Sequence, residues 1–159
     1  MGRTRSGPAG ENASVTTDTD IERPLRVLLA DDHPTNRAVV EVILSLISVE
    51  LVAVEDGAQA VDAFKASDFD VVLMDLQMPV MDGLTAIREI RKYEAETGRR
   101  RTPILAVTAN AMSEHIAASR AAGADHHISK PVVPDTLLTA IAEKIDALSD
   151  AESAARAVG

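Results

Sequence analysis

Three aspartates, a threonine and a lysine stand at the ends of short apolar runs that are far apart in the chain. Asp31 and Asp32 follow LRVLLA, Asp75 follows DVVLM, Thr108 ends PILAVT, and Lys130, with Pro131 behind it, follows DHHIS. Singly, each has a structural role to offer. An Asp pair ahead of Pro34 suits a helix N-cap, Asp75 suits the turn into Met78-Pro79, a strand-terminal threonine is a common β-former, and a lone lysine is solvated. Brought together, they make a phosphoryl-accepting set. Three carboxylates held close repel one another, which raises at least one pKa unless a cation intervenes. A hard oxygen site with two or three carboxylates and room for water suits Mg²⁺. A carboxylate that attacks phosphorus becomes an acyl phosphate, and the accumulating charge needs a metal on one side and a cation such as Lys130 on the other. The Thr108 hydroxyl can then hydrogen-bond a phosphoryl oxygen.

Such a set works only if the fold delivers its members to one edge. Apolar patterning gives strands over Leu25–Ala30, Leu51–Val54, Asp70–Met74, Pro103–Thr108 and Asp125–Ser129, the third nearly all apolar as in a parallel strand covered on both faces. Between them run helical patterns: Val39, Val40, Ile43, Leu44 and Ile47; Ala60, Val61 and Phe64 after Asp56-Gly57; Leu84, Ile87, Ile90 and Arg91 after Gly83; then 113–122 and 134–148, with Leu137, Leu138, Ile141 and Ile145 inward. Five strand–helix repeats predict an α/β fold, a flavodoxin-like (βα)5 doubly wound sandwich with a five-stranded parallel sheet in the order 2-1-3-4-5. Ligands in such folds bind outside the C-terminal strand ends, where the five residues lie. Residues 1–23 read as a disordered N-terminal arm, 24–148 as one domain and 149–159 as a fraying C-terminal tail.

Composition removes competing classes. With 25 acidic against 16 basic residues the net charge is -9, which opposes a nucleic-acid surface. Cysteine is absent, excluding disulfides, thiolate catalysis and zinc–cysteine sites. No apolar run reaches the roughly 18–20 residues of a membrane span, and no signal-peptide h-region is visible, so a cytoplasmic protein with no membrane partner is expected. No GxxxxGK[ST] loop occurs, which opposes nucleotide hydrolysis. His33, His115 and His126 are dispersed, against a histidine metal site, and Arg99-Arg100-Arg101 reads as a solvated loop. With only three aromatics (Phe64, Phe69, Tyr93) the core must be aliphatic.

The segments LLADDHPTNR, VVLMDLQMPVMDGL, ILAVTAN and ISKPV resemble the receiver domains of two-component response regulators, in the family's order, with 43 residues from Asp32 to Asp75 and 22 from Thr108 to Lys130. The likeness covers residues 25–148 and is greatest to the receivers of hybrid histidine kinases. It implies that Asp75 is phosphorylated and that Asp32 and Asp75 bind Mg²⁺ directly. Asp31 acts through water, and the backbone carbonyl of Gln77 completes the protein ligands. Lys130 neutralises the phosphoryl group, Thr108 moves toward it, and the small Ala109 leaves it accessible. Pro79, Gly83 and Pro131 shape the flanking turns, Gly83 by supplying backbone freedom. The family's Tyr or Phe switch position holds His127, whose imidazole could swing similarly and couple the switch to pH. SVELVAV lacks a Gly often found before the second helix, a difference confined to a turn.

Three functions follow. The first is a phosphorelay module whose phosphodonor is a histidine kinase or histidine phosphotransfer protein. Its output passes by protein contact or onward transfer, as a monomer or weak dimer through the fourth helix, fifth strand and fifth helix; the short stretch beyond Leu148 is expected to hold no output domain. The second is an aspartate-nucleophile phosphohydrolase, opposed by Gln77 where the general acid would stand. The third is a phosphorylation-independent binding module with a receiver fold, opposed by the complete set of acceptor residues.

Overall fold

The structure is a computed structural model that describes residues 24–110 and 112–145. The expectations for the arm 1–23, the tail 149–159 and the end of the last helix, 146–148, lie outside the described residues. The elements alternate as β1 (Leu25–Ala30), α1 (Pro34–Leu44), β2 (Val49–Val54), α2 (Gly57–Ala66), β3 (Val71–Asp75), α3 (Gly83–Thr97), β4 (Ile104–Thr108), α4 (Ser113–Ala122) and β5 (His126–Ser129), with α5 described over 134–145. All strand pairs are parallel and the sheet runs β2-β1-β3-β4-β5, the expected order.

Alternation of side chains across the sheet divides the core. Leu28, Ala30, Val72, Met74, Ile104 and Ala106 pack under α2, α3 and α4 with Ala60, Phe64, Ile87 and Ile90. Val27, Leu29, Val71, Leu73, Leu105, Val107 and Ile128 face α1 and α5, where Val40, Ile43, Leu44, Leu137 and Ile141 meet them. The two central strands β3 and β4 are buried at every position, which is why their sequences show no polar alternation.

Several local expectations need correction. β2 begins two residues earlier, at Val49, because β1 pairs with it along its whole length, and β3 takes in Asp75 rather than Asp70. Val39 and Ile47 share the helical apolar spacing but are 41% and 40% exposed, since α1 turns Val40, Ile43 and Leu44 to the sheet and ends before Ile47. The Arg99-Arg100-Arg101 run is a loop with Arg100 and Arg101 exposed, as expected, but its side chains are engaged. Arg99 donates to the carbonyls of Phe64 and Ser67 and lies over the Phe64 and Tyr93 rings. Arg100 stands 3.6 Å from Asp70, and Arg101 pairs with Asp125 at 3.0 Å.

Candidate functional site

The parallel sheet carries the ends of β1, β3, β4 and β5 to one edge. β1 hands over Asp31 one residue past Ala30, and β3 ends on Asp75 itself, paired in register with Val107 of β4. β4 ends on Thr108, whose carbonyl accepts the Lys130 amide at 2.8 Å, while Ser129 of β5 lies opposite Thr108. The Lys130-Pro131 peptide is cis. Asp31, Asp75 and Thr108 are buried polar residues beside a largely aliphatic core.

Lys130 Nζ stands 3.3 Å from Asp75 Oδ2 and 3.5 Å from Asp31 Oδ2. One ammonium therefore faces two carboxylates, with Asp32 beside them. Asp75 Oδ1 accepts the Gln77 amide at 3.2 Å; Oδ2 is buried and faces the Lys130 ammonium without an aligned hydrogen bond, and Asp32 Oδ1 is buried with no hydrogen-bond partner. Burial is the main cause that raises the Asp75 pKa above the ordinary carboxylate value; repulsion from Asp31 adds to it, and the Gln77 amide and Lys130 oppose it. Carboxylate oxygens that are buried, mutually repelling and short of donors fit a hard divalent cation. Donor atoms of Asp31, Asp32, His33 and Asp75 all lie within 4.8 Å of one another. One of the dispersed histidines thus joins the acidic cluster, which sequence spacing between histidines could not reveal; its adjacency to Asp32 was the available signal.

The Asp31-Asp32 pair does not cap α1. His33 is the N-cap residue and makes no side-chain cap. Asp31 Oδ1 instead accepts the His33 amide at 2.9 Å, and Arg37 donates to the Asp31 carbonyl at 2.7 Å, so Arg37 holds the β1–α1 turn. Sequence reasoning did not single out Arg37.

The loop after β3 is clasped from two sides. Gly57 donates to the Met81 carbonyl at 2.9 Å and Gly83 to the Leu76 carbonyl at 3.1 Å. A Cβ on Gly83 would stand 2.2 Å from the Asp75 carbonyl oxygen, and one on Gly57 2.3 Å from that of Met81. Gly83 was expected to supply backbone freedom; its φ is not positive, and close approach is what requires it. Left-handed backbone falls instead on Val80, φ 67°, in a tight turn closed by Met81 donating to the Pro79 carbonyl at 2.7 Å. A β-branched residue is strained there, and these bonds hold it.

Thr108 Oγ1 is engaged with Asn110, donating to its carbonyl and accepting its amide, both at 3.0 Å. Ala109 beside it is exposed. His127 is half-buried, with Nδ1 buried and lacking a hydrogen-bond partner, and its ring lies 5.6 Å from that of His126. A roomier cleft of about 430 Å³, lined by Arg26, Phe69 and Arg99 among others, is at the opposite end of the strands and holds none of these residues.

This geometry has relatives. The model for the response regulator receiver domain matches residues 27–142. The sensor protein GacS of Pseudomonas syringae pv. syringae is 43% identical over 118 residues, covering 71% of this chain and 13% of that protein. The chain thus spans only a small part of the curated relatives it matches. The receiver domain of sensor histidine kinase PA1611 from Pseudomonas aeruginosa PAO1, with a magnesium ion coordinated in its active site cleft, superposes with a TM-score of 0.70 at 33% identity, covering 78% of this chain and 99% of that one. The receiver domain of Saccharomyces cerevisiae Ssk1, in complex with the histidine phosphotransfer protein Ypd1, gives a TM-score of 0.71 at 27% identity, covering 76% and 88%. The order of the sheet, the acidic edge and the match over most of the length agree: this chain belongs to the response regulator receiver domain family.

Proposed function

We propose that Asp75 accepts a phosphoryl group from a phosphohistidine of a partner protein and that the chain passes the signal on by protein contact or by onward transfer. An oxygen of the Asp75 carboxylate forms the new bond to phosphorus, the bond from phosphorus to the partner's imidazole nitrogen breaks, and the imidazole leaves with that electron pair. The observation that carries this is the Asp75 carboxylate itself: buried, with one oxygen short of donors and an ammonium 3.3 Å away. Asp31, Asp32 and Asp75, with the Gln77 carbonyl, would hold Mg²⁺, which when bound neutralises charge on the phosphoryl oxygens. Lys130 meets the transferred group from the other side, and Thr108, released from Asn110, donates to it. The same residues would assist hydrolysis of the acyl phosphate by water.

The donor is a histidine kinase or a histidine phosphotransfer protein. Support for its approach comes from exposed Val39 and a small cleft of about 70 Å³ beside Asp31, lined also by Val40, Pro131 and Val132, which offers an apolar contact next to the acceptor. Output would leave through α4, β5 and α5, the face on the Thr108 and His127 side, as a monomer or weak dimer.

Incubation of the full chain with Mg²⁺ and acetyl phosphate tests the chemistry. A phosphate labile to acid and to hydroxylamine should appear on the wild type and vanish in Asp75→Asn. Wild type without label would overturn the proposal. Beryllofluoride with Mg²⁺ should shift the amides of Thr108 and His127, and unchanged spectra would favour a binding module instead. Steady phosphate release from a phosphomonoester would favour the phosphohydrolase.

A further inference from the structure

We propose that His33 supplies a nitrogen ligand to the cation of the acidic pocket, making the site more selective for later divalent ions such as Zn²⁺ over Mg²⁺ than an all-oxygen site would be. The inference rests on reading that pocket as a divalent-cation site. His33 Nδ1 lies 3.0 Å from Asp32 Oδ1 and 3.8 Å from Asp31 Oδ1. With the imidazole neutral, Asp32 Oδ1 is buried and has no hydrogen-bond partner, which leaves the oxygen and the Nδ1 lone pair both open to a cation; a protonated His33 would instead form an ion pair there. Neighbouring corners of an octahedron with bonds of about 2.1 Å are about 3.0 Å apart, the bond length times the square root of two. The two atoms thus have the spacing of adjacent ligands around one ion.

The backbone fixes this placement. The His33 amide donates to Asp31 Oδ1 at 2.9 Å, Arg37 holds the Asp31 carbonyl, and Pro34 follows at the first turn of α1. The imidazole has no capping role, although it occupies the N-cap position. Its side chain is 66% exposed, so the ring can turn toward an ion without repacking the core. Mg²⁺ favours oxygen ligands and retained water, whereas imidazole suits later divalent ions. A set of three carboxylates and one imidazole therefore discriminates between them where carboxylates and a carbonyl alone would do so less.

The test uses the full chain, stripped with a chelator and loaded with Mn²⁺. Pulsed electron paramagnetic resonance of the bound ion should show the hyperfine coupling of a directly ligated ¹⁴N, replaced by a ¹⁵N coupling when the histidines are ¹⁵N-labelled. The coupling should disappear in His33→Ala, with the ratio of Zn²⁺ to Mg²⁺ affinity falling on the order of 10-fold and Mg²⁺ affinity nearly unchanged. Bound Mn²⁺ without nitrogen coupling, or an unchanged ratio in His33→Ala, overturns the proposal while leaving the cation site intact. Mn²⁺ that stays free with the wild type overturns both the proposal and the cation site. The labelling experiment decides the matter even if His33→Ala does not fold.

Discussion

Asp75 is a carboxylate held where its charge is disfavoured. Burial, then repulsion from Asp31, raises its pKa, against the Gln77 amide and Lys130. A proton binds it more tightly in the folded chain than in the unfolded one. That contribution is present in full below the unfolded pKa and is lost as pH rises through the raised folded value. In metal-free protein Asp75→Asn should therefore melt at a higher temperature than wild type at neutral pH, with the gap closing toward pH ~4, as thermal unfolding in a chelator would show. Gly83 is constrained by contact. A methyl group 2.2 Å from the Asp75 carbonyl oxygen must displace backbone, so Gly83→Ala should destabilise the chain by about 1–3 kcal/mol, measured in urea, and weaken phosphorylation because the shift falls on Asp75. Sequence marks Gly83 as special but suggests the wrong reason, since a glycine required by a neighbouring strand end looks the same in sequence as one required by a turn.

Elements are where sequence and structure agree best, and the exceptions are instructive. β3 and β4 are legible because a strand buried on both faces must be apolar throughout. Asp31, Asp32, Asp75, Thr108 and Lys130 are legible because each stands at or just past the C-terminal end of a strand. Pairings between helices and turns distant in sequence are not. Arg91 looks like part of an apolar helix face, yet it pairs with Glu94 at 2.8 Å and Asp125 at 2.7 Å and donates to the Gly123 and Thr102 carbonyls. Glu94 in turn accepts the Thr102 amide, and Asp125 that of Ile104. This network ties α3 to the start of β4 and to the α4–β5 turn. Arg91→Ala would leave the buried Glu94 carboxylate without its cation and Asp125 with Arg101 alone, and should cost about 3–5 kcal/mol, read from urea unfolding. On the edge strand β5, burial first and Lys144 second lower the His126 pKa. Its contribution to stability is present above the unfolded pKa and is lost as pH falls through the depressed folded value. His126→Gln should therefore lose less stability than wild type on mild acidification, as melting temperatures across that range would show.

The charge of the whole molecule acquires a location. Of the 25 acidic residues, 19 fall in residues 25–148 against 12 basic ones, so the excess belongs mainly to the folded domain. Part of it is concentrated where Asp31 and Asp75 face the ammonium of Lys130, with Asp32 beside them. Two kinds of salt effect must then differ. Screening by any salt relieves diffuse repulsion among solvated carboxylates, and it saturates without regard to valence-specific geometry. Binding in the pocket stabilises only the fold that assembles it, by RT ln(1 + [ligand]/Kd), about 2.7 kcal/mol at a concentration 100 times Kd. Titrating Mg²⁺ at constant ionic strength, with Na⁺ as the balancing ion, should therefore raise the melting temperature of the wild type continuously. In Asp32→Asn the rise should shrink or require more Mg²⁺, because a buried oxygen that has no hydrogen-bond partner has been made neutral. Equal melting temperatures in Na⁺ and Mg²⁺ would mean that the clustered charge is only a surface property, and the pocket would lose its claim to a cation.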